Sequence, residues 1–455
     1  MIENEINISQ ALGNRFDVSF YNARFDFVSN LYPSFDLGQL VYINPPVSFD
    51  GISDNEEMSF IPMESIDEHN GTIKTLKTIR FREIKGFTKF QEGDLLWAKI
   101  TPCMQNGKSA IACKLKNGFG CGSTEFFVLR PKSDNILIEY IHYILRDKRV
   151  LKSAQNSFGG SAGQQRVSSS YLKSVKIPLL PIDIQKQIIK QYIQAQEAKQ
   201  KKDEEAKSYL EGIDIYLMEV LDIELSQNHT IDKIIIKKIS DMIGNRLDVS
   251  FYKERFEMMS RIYPNKKLLS VVEIDPTIKF SQDPNTEISF VPMECIDEKF
   301  GEIFDIRTTM ASKAKGYTKF EEGDLLWAKI TPCMQNGKSA IAKNLKNGVG
   351  CGSTEFYVMR PKNRDVLIEY VYMILRHKGV LDAAQNSFGG SAGQQRVSRQ
   401  YLNSIIIPLP LLEKQQEIVN NINTMKQQAK QLQEEGTKLL EDTKHKIEQI
   451  ILGIL

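Results

Sequence analysis

The clearest hydrophobic pattern in the chain is a seven-residue repeat near its C-terminal end. Apolar or small residues are spaced alternately by four and three, at Ile418, Ile422, Met425, Ala429, Leu432, Gly436 and Leu439. This spacing places a narrow stripe along one face of an α-helix, as in helices that pack against a second helix. The pattern predicts a long helix within residues 411–455.

A weaker copy of this stripe begins 230 residues earlier. It contains Ile188, Tyr192, Ala195, Lys199, Lys202, Ala206 and Tyr209, and it continues through Ile213, Tyr216 and Val220. We predict a second helix over residues 182–222, ~60 Å long at 1.5 Å per residue. Each helix could pack on its own domain, or the two could pair. The matching register favours the pair.

Shorter patterns predict strands between these helices. GDLLWAKI at Gly93 is typical of a strand entered from a turn, with Trp97 in the core, and KSAIA, TEFFVLRP and VKIPLLP predict further strands. TPCMQNG is a turn signal, and residues 136–154 have a helical pattern. The mixture predicts a compact α/β domain of roughly 180 residues.

The same elements occur twice. Gly93–Ala112 and Gly323–Ala342 are identical, as are Ala154–Ser168 and Ala384–Ser398, and GNRFDVSFY at Gly13 returns as GNRLDVSFY at Gly244. We therefore divide the chain into domains at 1–181 and 223–410, with helices at 182–222 and 411–455. A repeated domain and helix make pseudo-twofold symmetry available, which suits a two-sided target such as duplex DNA.

Composition limits the chemistry. The chain has 455 residues with a net charge of only +2, so any nucleic-acid surface must be local. Residues 72–116 hold ten Lys/Arg against three Asp/Glu, and residues 302–346 hold eight against five. A solvated basic face is the alternative interpretation. The six cysteines form no CxxC motif and no histidines lie near them, so we expect no metal and no cofactor. Without a signal peptide or long apolar run, we expect a cytoplasmic protein that does not enter a membrane.

Two motifs are ambiguous when taken alone. The sequence NPPV at Asn44 is similar to a methyltransferase loop, but its second copy, at Asp275, reads DPTI, so we interpret it as a turn. The glycine-rich segment Phe158–Arg166 lacks the GKS ending of a phosphate-binding loop. It is either a flexible loop that contacts DNA or a structural loop that seats the domain against its helix.

The order of these motifs, found twice, resembles the specificity subunit of type I restriction–modification systems. The resemblance rests on GDLLWAKITPCMQNGK, on GSAGQQRVSSSYLKSVKIPLLPIDIQKQI and on its copy GSAGQQRVSRQYLNSIIIPLPLLEKQQEI. It implies an α+β fold of two tandem, pseudo-twofold-related target recognition domains, with the two helices paired antiparallel as a spacer. It also implies double-stranded DNA as ligand, two methyltransferase subunits as partners, restriction subunits that can join, and no catalysis by this chain.

The resemblance and the basic surplus together favour a DNA-facing role for the TPCMQNG turn, although Asn-Gly could form only a hairpin turn. Asn and Gln suit adenine, Lys suits guanine or phosphate, and Arg binds phosphate at two points. The DNA-binding candidates are Lys99, Gln105, Asn106, Lys108, Gln164, Gln165 and Arg166, with Lys329, Gln335, Asn336, Lys338, Gln394, Gln395 and Arg396 in the second half.

Two functions remain in view. One is a non-catalytic DNA-recognition subunit that reads a bipartite site, with near-identical half-sites as an inverted repeat. The alternative is a non-catalytic scaffold of a phage-defence complex, with duplicated protein-binding domains.

Overall fold

The computed structural model describes residues 25–49, 51–158, 165–223, 256–278, 283–388 and 395–455. Both GNR motifs lie outside these residues. The chain divides into two compact units: unit 1 comprises Met1–Lys202 with Glu434–Leu455, and unit 2 comprises Asp203–Gln433. Each boundary falls inside a long helix. The domain limits given from the sequence therefore stay predictions.

Unit 1 contains two four-stranded sheets. Its strands are β1 Ser34–Asp36, β2 Val41–Ile43, β3 Glu57–Ile61, β4 Ile66–Asp67, β5 Thr72–Ile73, β6 Lys77–Arg80, β7 Thr88–Gln91, β8 Leu95–Ala98, β9 Ser109–Ile111, β10 Phe119–Gly122, β11 Phe126–Pro131 and β12 Lys176–Pro178. The first sheet has the antiparallel order β2-β11-β8-β9, and the second has the order β6-β3-β10-β7, in which β3 and β10 are parallel. Two short pairs, β1-β12 and β4-β5, complete the described strands of unit 1.

Strand β8 lies at the centre of this arrangement. All four of its residues are buried because the first sheet is covered on both faces. Leu95 and Trp97 pack in the cluster formed with the helices, whereas Leu96 packs with Phe90 of the second sheet. Burial on both faces explains the continuous apolar run LLWA, and it confirms both the predicted strand and the core position of Trp97.

The helices of the first half are α1 Leu37–Leu40, α2 Ile138–Leu145, α3 Lys148–Asn156, α4 Ser169–Ser174 and the long α5 Ile182–Val220. The helical pattern over residues 136–154 forms two helices rather than one. The break occurs at Asp147, which has an extended backbone and caps α3 by accepting a hydrogen bond from the Arg149 amide.

Unit 2 repeats this order in its described residues, except that an isolated bridge between Ile296 and Ile303 replaces the β4-β5 pair. Its strands are β13 Asn265–Lys267, β14 Val272–Ile274, β15 Glu287–Val291, β16 Arg307–Met310, β17 Thr318–Glu321, β18 Leu325–Ala328, β19 Ser339–Ile341, β20 Val349–Gly352, β21 Phe356–Pro361 and β22 Ile406–Pro408. Its helices are α6 Leu268–Val271, α7 Ile368–Arg376, α8 Lys378–Asn386 and α9 Arg399–Ser404, and α10 Leu412–Ile451 follows them. The sheet orders are β14-β21-β18-β19 and β16-β15-β20-β17. The predicted tandem α/β architecture is therefore confirmed.

The long helices α5 and α10 pair antiparallel within each unit. In unit 1, Ile188 shares a cluster with Ile447, and Lys202 lies 2.6 Å from Glu435. In unit 2, the Asn421 amide donates to the Tyr216 hydroxyl at 2.7 Å. In both units, residues later in α5 contact residues earlier in α10, which is the antiparallel direction. Each helix also packs on a domain core, as Ile188 and Ile418 do. Both modes of packing therefore occur.

The predicted apolar stripe follows the burial pattern closely but not completely. Four of the predicted pairing residues are buried: Ile188, Ala195, Ile418 and Ile422. Four more are half-buried: Tyr192, Ile213, Met425 and Leu432. Leu439 was assigned wrongly, because it is 42 % exposed whereas Leu440 is half-buried. After the buried Gly436 the stripe advances by four residues instead of three, which shifts its register by one position. Among the described residues, no helix has the length and apolar character needed to cross a membrane.

Candidate nucleic-acid interface

A short turn projects from the central sheet at the end of β8. We call residues Pro102–Gly107, and Pro332–Gly337 in unit 2, the Gln-Asn turn. Its backbone is internally bonded: the Met104 amide donates to the Ile100 carbonyl at 2.9 Å, and the Asn106 amide donates to the Pro102 carbonyl at 3.1 Å. Gly107 closes the turn at φ +73°, which favours glycine. The turn is therefore fixed by its own hydrogen bonds.

The side chains of the turn divide between core and solvent. Met104 is 1 % exposed and anchors the turn in the cluster beneath it. Gln105 and Asn106 are exposed, as are Gln335 and Asn336 in unit 2. Two exposed amide side chains thus stand on a hydrogen-bonded turn in each unit, and side chains of this type are able to bond base edges.

Lys108 and Lys338 are turned into the domain rather than toward solvent. The Lys108 ammonium group donates to the Met63 carbonyl at 3.4 Å and lies 4.0 Å from Glu68. Lys338 makes the matching contacts with Met293 and Glu298. Each side chain is more than four-fifths buried and already bonded within its unit, which does not favour a DNA contact, and the assignment of both lysines stays a prediction.

Arg166 forms a two-point ion pair with Glu125. Its guanidinium donates to the two carboxylate oxygens at 2.9 and 2.7 Å, and these hydrogen bonds lower the pKa of Glu125. Arg396 and Glu355 repeat the pair at 2.8 and 2.7 Å. An incoming phosphate would have to compete with a carboxylate that is already well placed. The phosphate contacts of both arginines stay predictions.

The remaining candidates lie around this ion pair. Lys99 places its ammonium group 5.5 Å from the centre of the Phe127 ring, and Lys329 lies similarly over Tyr357. Gln165 and Gln395 are half-buried, and the Gln165 carbonyl accepts from the Thr101 amide at 3.1 Å. Gln164 and Gln394 lie outside the described residues. The end of the glycine-rich segment is thus bonded to the base of the Gln-Asn turn, which favours the structural interpretation of that end.

Ion pairs reduce the predicted basic surplus. Lys77 pairs with Glu64 at 3.1 Å, and Lys116 pairs with Glu57. These acids precede the window of residues 72–116 in sequence, but they lie on neighbouring strands or turns. A count of charges along the chain therefore overestimates the local positive charge. Asn44 bends the chain after β2 with a φ of +53°, as the predicted turn requires, and its side-chain oxygen accepts from the Val128 amide at 3.0 Å.

One serine–histidine contact has the residue types of a nucleophile and its base. The Ser109 hydroxyl lies 3.1 Å from Nε2 of His142. Ser109 is buried and His142 is half-buried, and desolvation of the ring lowers the pKa of His142 to about 3. The equivalent of His142 in unit 2 is Tyr372. Because the serine is buried and the second copy has no histidine here, we interpret the pair as a packing feature rather than a nucleophile and its base. No group of three metal-ligating side chains occurs in the described part of the chain.

Sequence reasoning missed a pair of arginines that border the turn. Arg146 follows helix α2, and its guanidinium donates to the carbonyls of Gly107, Glu68 and His69 at 2.7, 2.9 and 2.8 Å. Arg376 occupies the same place in unit 2. The sequence does show that an arginine recurs 230 residues apart, at Arg146 and Arg376, each time at the end of a helical pattern. This recurrence alone does not indicate a contact with the Gln-Asn turn.

A family model matches most of the chain, and known proteins match parts of it. A family model described as type I restriction modification DNA specificity domain matches residues 35–207 and 263–441. The Escherichia coli type I restriction enzyme EcoAI specificity subunit is 37 % identical over 190 residues, which is 41 % of this chain and 32 % of that relative. The EcoEI specificity subunit, from the same organism, is 35 % identical over 185 residues, or 40 % of this chain and 31 % of that protein.

The chain thus spans about a third of the length of these curated relatives. A solved structure, described as explaining complex assembly and conformational transition of the type I R-M system, aligns with a TM-score of 0.55 at 17 % identity. It covers 94 % of this chain and 97 % of the solved chain. This likeness supports the fold.

Proposed function

Because the chain belongs to the type I restriction–modification DNA specificity family, we propose that each of its units reads one half of a bipartite DNA site. The chain would act as a recognition subunit in the cytoplasm and would carry no catalytic step itself. The methyl transfer would belong to a partner that docks on it.

The observation that carries this proposal is the duplicated Gln-Asn turn. Each unit presents two exposed amide side chains on a turn whose backbone is fixed by internal hydrogen bonds and by a buried methionine. A rigid base lowers the entropy lost when these side chains bind, and amides suit the adenine edge in the major groove. Identical turns in the two units should read the same base at equivalent positions of the two half-sites.

The partners follow from the family and from the long helices. We propose two methyltransferase subunits, one for each unit, with restriction subunits joining the complex where they are present. Helices α5 and α10, of 39 and 40 residues, would set the spacing between the half-sites. Near-identical units predict that these half-sites form an inverted repeat, perfect or nearly so.

Methylation-aware sequencing tests the function. The chain is expressed with a type I methyltransferase subunit in a host that lacks other DNA methyltransferases. We expect one new bipartite motif, methylated in both half-sites, which disappears when this chain is omitted. Methylation that persists without the chain would refute the proposal.

A salt titration separates DNA recognition from a protein-binding scaffold. Phosphate contacts make the logarithm of the binding constant fall linearly with the logarithm of salt concentration. We expect this dependence for the assembled complex on a duplex that carries the motif. A complex that binds its protein partners but no duplex would favour the scaffold.

A further inference from the structure

In each unit a second turn is fastened beside the Gln-Asn turn. We call residues Asp67–Gly71, and Asp297–Gly301 in unit 2, the variable turn. Asp67 holds the first of these by accepting from the His69 amide at 2.9 Å, and Asp297 accepts from the Phe300 amide. Gly71 and Gly301 end the turns at φ +69° and +68°. The two turns thus share the aspartate and the glycine that fix their backbone. They differ at the two residues before the glycine, which we call the tip of the turn.

The arginines described above make the fastening. Arg146 bonds the Gly107 carbonyl of the Gln-Asn turn and the Glu68 and His69 carbonyls of the variable turn. Arg376 bonds the Gly337 carbonyl, and it reaches Glu298 and Lys299 at 2.9 and 3.1 Å. A planar guanidinium with five donors suits such a three-point clamp between two backbone segments.

Glycine makes the close approach possible. A Cβ atom on Gly71 would lie 2.8 Å from Cζ of Arg146, and a Cβ atom on Gly301 would lie 2.8 Å from Cζ of Arg376. Any side chain at these positions would displace the guanidinium. The same clamp therefore depends on the same pair of residue types in both units, although the surrounding segments have diverged.

The tips that the clamps hold differ in chemistry. Unit 1 presents the exposed His69 and Asn70, whereas unit 2 presents the exposed Lys299 and the half-buried Phe300. Asn pairs well with adenine, Lys with guanine, and an aromatic ring with the thymine methyl group. Because each tip is fixed to a Gln-Asn turn, it should meet bases next to those read by that turn.

We infer that the variable turns determine the bases at which the two half-sites differ, and that Arg146 and Arg376 are the positioning residues that align each tip with its Gln-Asn turn. This inference rests on the proposed function. It identifies which part of each unit breaks the symmetry of an otherwise near-palindromic site.

Exchanging the tips tests the inference in the complete methyltransferase complex. The double variant His69→Lys with Asn70→Phe should change one or two bases of the half-site read by unit 1, to match the half-site read by unit 2. The reciprocal variant Lys299→His with Phe300→Asn should do the opposite. The control Glu83→Lys introduces the unit 2 residue at an exposed position outside the variable turn, and it should leave the motif unchanged.

The outcomes separate the inference from the proposed function. Identical half-sites in the natural motif, or a motif unchanged by both exchanges, would overturn the inference and leave DNA recognition intact. Absence of any motif that depends on the natural chain would instead refute the proposed function.

The clamp is tested with Arg146→Lys and Arg376→Lys. Each should reduce discrimination about tenfold at the bases beside one turn, in one half-site only, which corresponds to the loss of one good base contact. A purely structural role would lower the melting temperature without changing relative base preference. If the arginine variants do not fold, the exchange of the tips still tests whether the variable turns determine the bases that differ between the half-sites.

Discussion

Truncation of one glutamine in each Gln-Asn turn should relax the choice of base without loosening the fold. Gln105 is exposed, so Gln105→Ala should change the free energy of unfolding by less than about 0.5 kcal/mol. If its amide bonds a base edge, about 1–3 kcal/mol of discrimination should be lost, or roughly 5- to 150-fold. The neighbouring Met104 is 1 % exposed, and Met104→Ala should cost about 2–5 kcal/mol of stability.

Competition binding with the assembled complex measures this effect. Duplexes with single base changes in either half-site compete against the natural site, and the melting temperature is recorded in parallel. Gln105→Ala should flatten the base preference in one half-site, and Gln335→Ala should do so at the mirror position of the other. If both variants damage the same half-site, or if neither changes base preference while stability falls, the turn is structural and the assignment is wrong.

Four further predictions concern salt dependence, pH, helix length and a buried ion pair. Because Glu125 already pairs with Arg166, Arg166→Ala should change the salt slope of DNA binding by less than one unit, whereas Glu125→Gln should steepen it by about one unit. The paired carboxylate has a lowered pKa, so its contribution to stability is present above the unfolded value of about 4.3 and is lost as the pH falls below it. Thermal melts of wild type and Glu125→Gln should therefore converge in acid. Inserting a matched heptad into both long helices at the unit boundaries adds about 10 Å. The spacer in the methylated motif should grow by about three base pairs with unchanged half-sites, and an unchanged spacer would refute the ruler. Arg130→Met removes the two-point partner of Asp94, whose side chain is only 1 % exposed. Denaturant melts should show a loss of about 3–5 kcal/mol of stability in unit 1, whereas a substitution in a solvent-exposed ion pair should cost much less.

Periodic features were predictable because one physical constraint repeats along the sequence. The stripe through Ile188 and Ala195 required only that one helix face be buried, and the strand LLWA required only burial. Leu439 failed because the register after Gly436 depends on the partner helix. A Cβ atom on Gly436 would lie 3.3 Å from the Lys199 side chain, and this close approach cannot be inferred from one helix alone.

Contacts between distant segments were not predictable in the same way. Lys108 is basic and follows a turn, so its sequence context predicted a DNA contact. The structure instead directs it to Met63, 45 residues earlier. Arg166 likewise suited phosphate by residue type, but Glu125 lies beside it in the fold. Residue type gives the bonding capacity of a side chain, whereas the topology decides which partner satisfies that capacity.

The arginine clamp shows how an internal repeat can reveal contacts between distant segments that a single copy of the sequence does not. A contact such as that of Arg146 with Gly71 leaves no periodic signal, but both residues recur 230 positions later although much of the segment around Gly71 has changed. Two copies that fold alike must keep the residues that fix a shared geometry. At other positions their sequences can diverge. In a protein built from two reading units, a fixed frame that holds divergent tips is therefore the arrangement that allows one half-site to change without disturbing the other.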